Sequence, residues 1–172
     1  MKSINLFLAT LVLNPIALVA KEQPSANEIL TSAKAKASAE KKAIFVHFGA
    51  SWCGYCKKLD AFLERPDIKP VFEKYFVPVT LVVQEKNKSL ENAGADALHK
   101  KLGGPAGLPY SSFLDADGRM IVNSKKDGEN IGYPVQPQEI DWFVQMMKKA
   151  APNISSDDLK TIETALKSPK KT

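Results

Sequence analysis

Residues 50–60 read ASWCGYCKKLD and hold both cysteines of the 172-residue chain. The two thiols stand three positions apart, after a tryptophan and ahead of a basic run. Such a pair is a staple, half of a metal site or a redox couple. Zinc usually takes four ligands, from two such pairs or from one pair and closely spaced histidines. The histidines here, His47 and His99, are far apart in sequence, so no metal site is expected. A disulfide across so small a loop removes little entropy from the unfolded chain, which weakens a purely structural role.

The flanking sequence favours redox chemistry. Residues 43–50, AIFVHFGA, are rich in β-branched and aromatic side chains and end at a glycine, as a strand buried on both faces would. The cysteine motif then opens a helix through Lys57, Leu59, Phe62 and Leu63, which Pro66 and Pro70 interrupt and VFEKYF (71–76) resumes. A strand running straight into a helix puts Cys53 at the helix N-terminus, where unpaired N–H groups and the dipole stabilise a thiolate. Cys56, one turn further in, reaches Cys53 while staying less exposed. A lowered thiol pKa makes Cys53 the attacking group and leaves Cys56 to resolve the mixed disulfide.

The other elements follow from pattern. Ser25 and Glu28 have capping-box spacing, before an Ala/Lys-rich helix to about Lys42. Residues 77–83, VPVTLVV, read as a second strand, and the strand–helix–strand unit is long enough for a right-handed crossover between parallel strands. After a polar loop over 84–89, a helix over roughly 90–102 buries Leu98 and Leu102 and carries His99 on its surface. GGPAGLP (103–109) breaks structure ahead of two short strands in 110–124 that turn at Asp117–Gly118. A polar loop, 125–134, leads to a helix from Pro137 to about Ala150. Ile140, Phe143, Val144 and Met147 share one face of it, and Trp142, off that stripe, is expected against the last helix. Ser155 or Ser156 caps that last helix, which carries Leu159, Ile162 and Leu166. One sheet with helices on both faces satisfies this order, an α/β arrangement.

The first twenty residues, MKSINLFLATLVLNPIALVA, have the form of a signal peptide: Lys2, an apolar stretch from Ile4 to Leu13, a break at Asn14–Pro15 and a small-residue exit at Ala20. The apolar run falls short of the roughly 20 residues that span a bilayer. The expected organisation is a signal over 1–20, a domain over 21–150, and a C-terminal helix with a basic tail over 151–172. Localisation is then periplasmic or secreted, with no stable membrane insertion after cleavage. A disulfide persists there, yet a domain of roughly 150 residues does not need one. Both cysteines are free for chemistry. Apolar content of 44% and charged content of 25% fit a soluble domain. The net charge of +5 is dispersed and no basic–aromatic motif appears, so no nucleic-acid partner is expected.

WCGYCK (52–57), the strand before it, Gly107-Leu108-Pro109 and FLDADGR (113–119) occur in an order that resembles the thioredoxin superfamily over roughly residues 25–150. The resemblance implies a thioredoxin fold: a central mixed sheet of about four strands flanked by helices, here with an extra C-terminal helix. It implies an attacking Cys53, a resolving Cys56 and a cis Pro109 beside them, with Pro105 as the competing position. It puts Trp52 over the active-site edge as part of the docking surface, and Leu108 at the substrate edge. Gly54-Tyr55 resembles the dipeptide of bacterial periplasmic disulfide isomerases rather than the Gly-Pro of reducing thioredoxins. Those isomerases carry a separate dimerisation domain, for which this chain is too short.

Family members commonly place a buried acid six residues before the first cysteine, where this chain has His47. The resemblance puts His47 under Cys56. A neutral imidazole, buried without a negative partner, would accept the Cys56 proton during resolution. The plain alternative is a core histidine with one ring nitrogen hydrogen-bonded. The function expected is that of an exported thiol–disulfide oxidoreductase that reduces or isomerises disulfides in cysteine-containing protein substrates. A redox partner would recycle the pair, and no cofactor is needed. The rival is a thioredoxin-like binding module or chaperone without redox turnover.

Overall fold

The computed structural model describes residues 23–168, so the expected signal segment and the end of the basic tail lie outside the described residues. Helix α1 (Ala26–Glu40) starts at Ser25, whose Oγ accepts the Glu28 N–H at 3.2 Å while the Glu28 carboxylate accepts the Ser25 N–H at 2.7 Å. This reciprocal cap satisfies two donors that the first turn would leave unpaired. A left-handed Lys41 ends the helix.

Strand β1 (Ala43–Gly49) runs parallel to β2 (Phe76–Val82) and antiparallel to β3 (Tyr110–Leu114), which pairs with β4 (Met120–Asn123). The sheet order is β2-β1-β3-β4. Every residue of β1 is buried, as its run of β-branched and aromatic residues predicts. Its side chains alternate between two cores. Phe45 joins the core under α2 (Gly54–Leu63), α3 (Lys69–Glu73), α5 (Pro137–Ala150) and α6 (Ser156–Lys167). Ile44, Val46 and Phe48 face α1 and α4 (Ala95–Lys101). The Phe45 ring meets Phe113 at 4.8 Å and Phe72, edge-on, at 5.2 Å. Each phenylalanine so buried contributes about 1.5–3 kcal/mol.

Four details depart from the sequence pattern. The second helical stretch begins at Lys69 with Pro70 in its first turn, where no N–H is needed, so Pro70 does not interrupt it. It ends at Glu73, because Phe76 already belongs to β2 and packs on Phe113 at 4.8 Å. The helix read over 90–102 is confined to α4, preceded by a short 3-10 turn over Lys88–Leu90. Asn92 holds the intervening turn in place: its side chain accepts the Val82 N–H at 2.7 Å and donates to the Pro24 carbonyl at 2.9 Å, while its carbonyl accepts the Ala95 N–H at 2.9 Å. His99, expected on the surface, is buried with its ring 4.8 Å from Phe48 and 5.3 Å from Tyr110. Gly104 makes this possible, since a Cβ there would stand 2.2 Å from the imidazole. Burial pushes the His99 pKa down. The loop over 125–134 contains a small hairpin, β5 (Lys125–Lys126) and β6 (Glu129–Asn130), turning at Asp127 and Gly128, both at positive φ. Asp-Gly is a recognised signal for that turn.

Trp142 packs against the core cluster that includes the α6 side chains and donates its indole N–H to the Asn123 carbonyl of β4 at 3.2 Å. Ser155 caps α6, which buries Leu159, Ile162, Ala165 and Leu166 in the Phe45 core. Among the described residues no helix is long and apolar enough to cross a membrane.

Asp158 ties α6 to the turn before β2: Tyr75 Oη donates to its carboxylate at 2.6 Å and Lys74 Nζ at 2.9 Å. The Tyr75 hydrogen bond, then those of Lys74 and Ser155, lower its pKa from 3.8 to about 2. A carboxyl depressed in the folded state adds stability above its unfolded pKa, and that stability is lost as pH falls through the folded value. Asp158→Asn is therefore expected to cost about 1–2 kcal/mol near neutral pH. It should also flatten the fall in stability between pH 3.8 and about 2, as read by urea titrations across acid pH.

Candidate functional site

The site begins where β1 leaves the sheet. Gly49 keeps a strand-like bond, its carbonyl accepting the Val83 N–H at 2.9 Å, and the chain then turns with Cys53 N–H donating to Ala50 at 3.0 Å. The loop after β2 holds this turn from outside. The buried carboxylate of Glu85 accepts both the Ser51 N–H and the Ser51 hydroxyl, the latter at 2.9 Å. The Trp52 indole donates to the Gln84 carbonyl at 2.9 Å. Trp52 is thus oriented by its polar edge, with 56% of its surface exposed beside the cysteines.

Cys53 is the N-cap of α2, and its Sγ accepts the Cys56 N–H at 3.1 Å. The sulfur sits where a helix offers unpaired donors and positive potential, which favours its anionic form. Cys53 and Cys56 are joined as a disulfide with Cα atoms 5.3 Å apart. Both are buried, Cys56 the more deeply. Tyr55 is 54% exposed and completes the rim with Trp52. Lys58 Nζ lies 4.8 Å from the centre of the Tyr55 ring. At Gly54 a Cβ would meet open space, so sterics do not demand glycine there.

Leu108 packs against Ala50, Cys53 and Cys56, and the Leu108–Pro109 bond is cis. Both residues line a cleft of about 250 Å³ with Tyr55, Ile131, Tyr133 and Val135; Pro105 does not. Asn130 of β6 pins this loop. Its amide nitrogen donates to the Gly107 carbonyl at 3.2 Å and the Pro109 carbonyl at 2.9 Å. Its oxygen accepts from Ser124 Oγ at 2.7 Å and the Gly132 N–H at 3.3 Å.

His47 is 1% exposed and lies on the α2 side of β1. Contrary to expectation it has a negative partner: Nε2 is 2.9 Å from Asp60 Oδ1 and 2.8 Å from Thr80 Oγ1. Asp60 sits four residues after Cys56 on α2, hence on the same helical face. A Cβ on Gly49 would stand 3.4 Å from Cys56 Sγ and 3.9 Å from His47 Cε1, so sulfur and imidazole both flank Gly49. The i, i+4 spacing of Cys56 and Asp60 was readable in the sequence. Thr80 needed the strand register, and Glu85 and Asn130 needed the fold.

A family model described as Thioredoxin-like matches residues 26–116, more than half of the chain. The structure of a disulphide isomerase from Xylella fastidiosa Temecula1 superposes with a TM-score of 0.53 at 21% identity, covering 88% of this chain and 95% of that one. A structure titled DsbH Oxidoreductase gives 0.47 at 20% identity over 86% and 95% of the two chains. The oxidised C-terminal domain of Neisseria meningitidis DsbD gives 0.44 at 21% identity over 72% and 97%. No curated protein matches the sequence significantly. The family match and the four-stranded mixed sheet establish the thioredoxin fold.

Asn130→Asp keeps the acceptor but loses both donors to the Pro109 loop. It should lower stability in urea titrations by about 1–3 kcal/mol, the cost of leaving the part-buried Pro109 carbonyl unpaired. Hydrogen exchange at residues 106–111 should quicken in the same variant.

Proposed function

We propose that this chain, which belongs to the thioredoxin-like family, is an exported thiol–disulfide oxidoreductase that reduces or isomerises disulfides in protein substrates. The observation that carries this reading is Cys53 capping α2 with Cys56 in bonding reach, at an edge rimmed by exposed aromatics. A pair built only for stability has no need of a helix terminus or of an open cleft beside it.

In the reducing direction the Cys53 thiolate attacks a substrate disulfide, forms one mixed disulfide and expels the first substrate thiolate. Cys56 then gives up its proton and attacks Cys53 Sγ. The Cys53–substrate bond breaks, the second substrate sulfur leaves with its electron pair, and it takes a proton from solvent. Two electrons pass to the substrate, and an external redox partner must return them. The Leu108–Pro109 edge offers backbone for strand-like pairing with an extended substrate segment. Pro109, which lacks an N–H, keeps a competing donor away from the sulfurs. Trp52 and Tyr55 supply apolar contact surface on either side of Cys53. His47, under Cys56, is the base for the second step. Export rests on the signal-like sequence over residues 1–20.

Reduction of insulin by dithiothreitol should accelerate with wild-type protein and lose that acceleration in Cys53→Ser. Cys56→Ser should instead accumulate mixed disulfides with substrate through Cys53, visible on non-reducing gels. Trapping through Cys56 alone would reverse the two roles. No acceleration by the wild type would leave a binding module in place of the enzyme.

A further inference from the structure

Asp60 and Thr80 both approach the same nitrogen of His47, Nε2, at 2.9 and 2.8 Å. An ionised carboxylate only accepts hydrogen bonds, so the nitrogen facing Asp60 must carry a proton. Thr80 accommodates this, because a hydroxyl oxygen can accept from the same N–H. In a neutral imidazole the other nitrogen then holds a lone pair. That nitrogen, Nδ1, is buried and has no hydrogen-bond partner. Buried acceptors of this kind are rare and call for a reason.

The groups around the ring are few. Helix α2 contributes Cys56 and Asp60, β2 contributes Thr80, and β3 contributes Ser111, the register partner of His47. Phe45 lies 6.2 Å away, centre to centre. Farther out, Glu64 and Glu73 line the same cleft of about 160 Å³ as Asp60 and Thr80. Lys69 sits beside both of them, at 2.6 and 3.9 Å. Asp60 itself is 48% exposed, so it reaches water as well as the buried ring.

We infer that Asp60 is a positioning residue that holds His47 as the Nε2–H tautomer, leaving Nδ1 free to take the Cys56 proton in the resolving step. The inference rests on the oxidoreductase reading and adds to it an acid supplied by the helix rather than by the strand. The Cys56 thiol gives its proton to Nδ1, and the sulfur's electron pair makes the bond to Cys53 Sγ. The bond from Cys53 to the substrate sulfur breaks, and the substrate departs as a thiolate. The imidazolium formed is paired with Asp60, then releases its proton to solvent. Carboxylates hold the tautomer and stabilise the imidazolium in the same way in hydrolytic triads.

Two measurements test this on the full chain. Nitrogen-15 NMR of the histidine rings at mildly alkaline pH should show His47 protonated at Nε2 and bare at Nδ1. Stopped-flow reaction with 5,5′-dithiobis(2-nitrobenzoate) separates the steps: the first thiolate released reports attack by Cys53, the second reports resolution by Cys56. Asp60→Asn, whose amide can donate to Nε2 and reverse the tautomer, should slow the second release roughly tenfold to a hundredfold, a loss of the size seen when an orienting partner is removed. The first release should stay near the wild-type rate, and Asp60→Glu should recover part of the second. An Nδ1–H tautomer in an active wild type, equal slowing of both releases, or an unchanged second release in Asp60→Asn would each overturn the inference alone. A wild type that releases thiolate but never turns over a protein disulfide would overturn the oxidoreductase reading as well.

Discussion

Strand β1 is enclosed on every side, by β2 and β3 along its edges and by helices on both faces. Its side chains can therefore occupy only the positions that strict alternation allots them. Phe45 and His47 fall under α2, while Ile44, Val46 and Phe48 fall under α1 and α4. A slip of one residue would bring His47 into the opposite core and take Phe45 from its aromatic cluster, so the register is strongly held. The same constraint delivers Gly49 and the cysteine turn to the end of the sheet, where α2 begins. The chemistry starts from a position the strand leaves no freedom to change.

Two segments outside that strand then hold the site in shape. The loop after β2 takes Ser51 and Trp52 through Glu85 and Gln84. The small β5–β6 hairpin takes the Pro109 loop through Asn130. Each is a polar clamp acting on backbone groups beside the disulfide, and neither touches a sulfur. Groups held by such bonds lose the freedom that would otherwise blur a reacting geometry. The exposed rim of the site, by contrast, is aromatic. Trp52, Tyr55 and the cleft beside Leu108 form the surface proposed for a substrate segment.

Much of this was legible in the sequence, because its signals are local. The β-branched and aromatic run of β1, the capping box at Ser25 and the apolar stripe of α5 each act over a few residues and survive into the structure. What was not legible depends on contacts between distant segments. His99 looked like a surface residue in a polar helix until Gly104, with no Cβ, let its ring inward. The late start of that helix depends on Asn92, which fixes a turn ahead of α4 by bonding to Val82 and Pro24. The β5–β6 hairpin is only two residues per strand, too short for a strand pattern, although Asp127–Gly128 carries its turn signal. The resemblance puts His47 under Cys56, yet its Asp60 partner depends on how α2 packs across β1.

In the proposed function, the helix terminus makes Cys53 and Cys56 an exchangeable redox couple. Stabilising the Cys53 thiolate stabilises the reduced form, which raises the reduction potential of the pair. Equilibration of the wild-type chain against glutathione buffers measures that potential directly. The account predicts a value between roughly −270 and −120 mV, the span of catalytic disulfides of this kind. A value below about −300 mV, where structural disulfides lie, would contradict it.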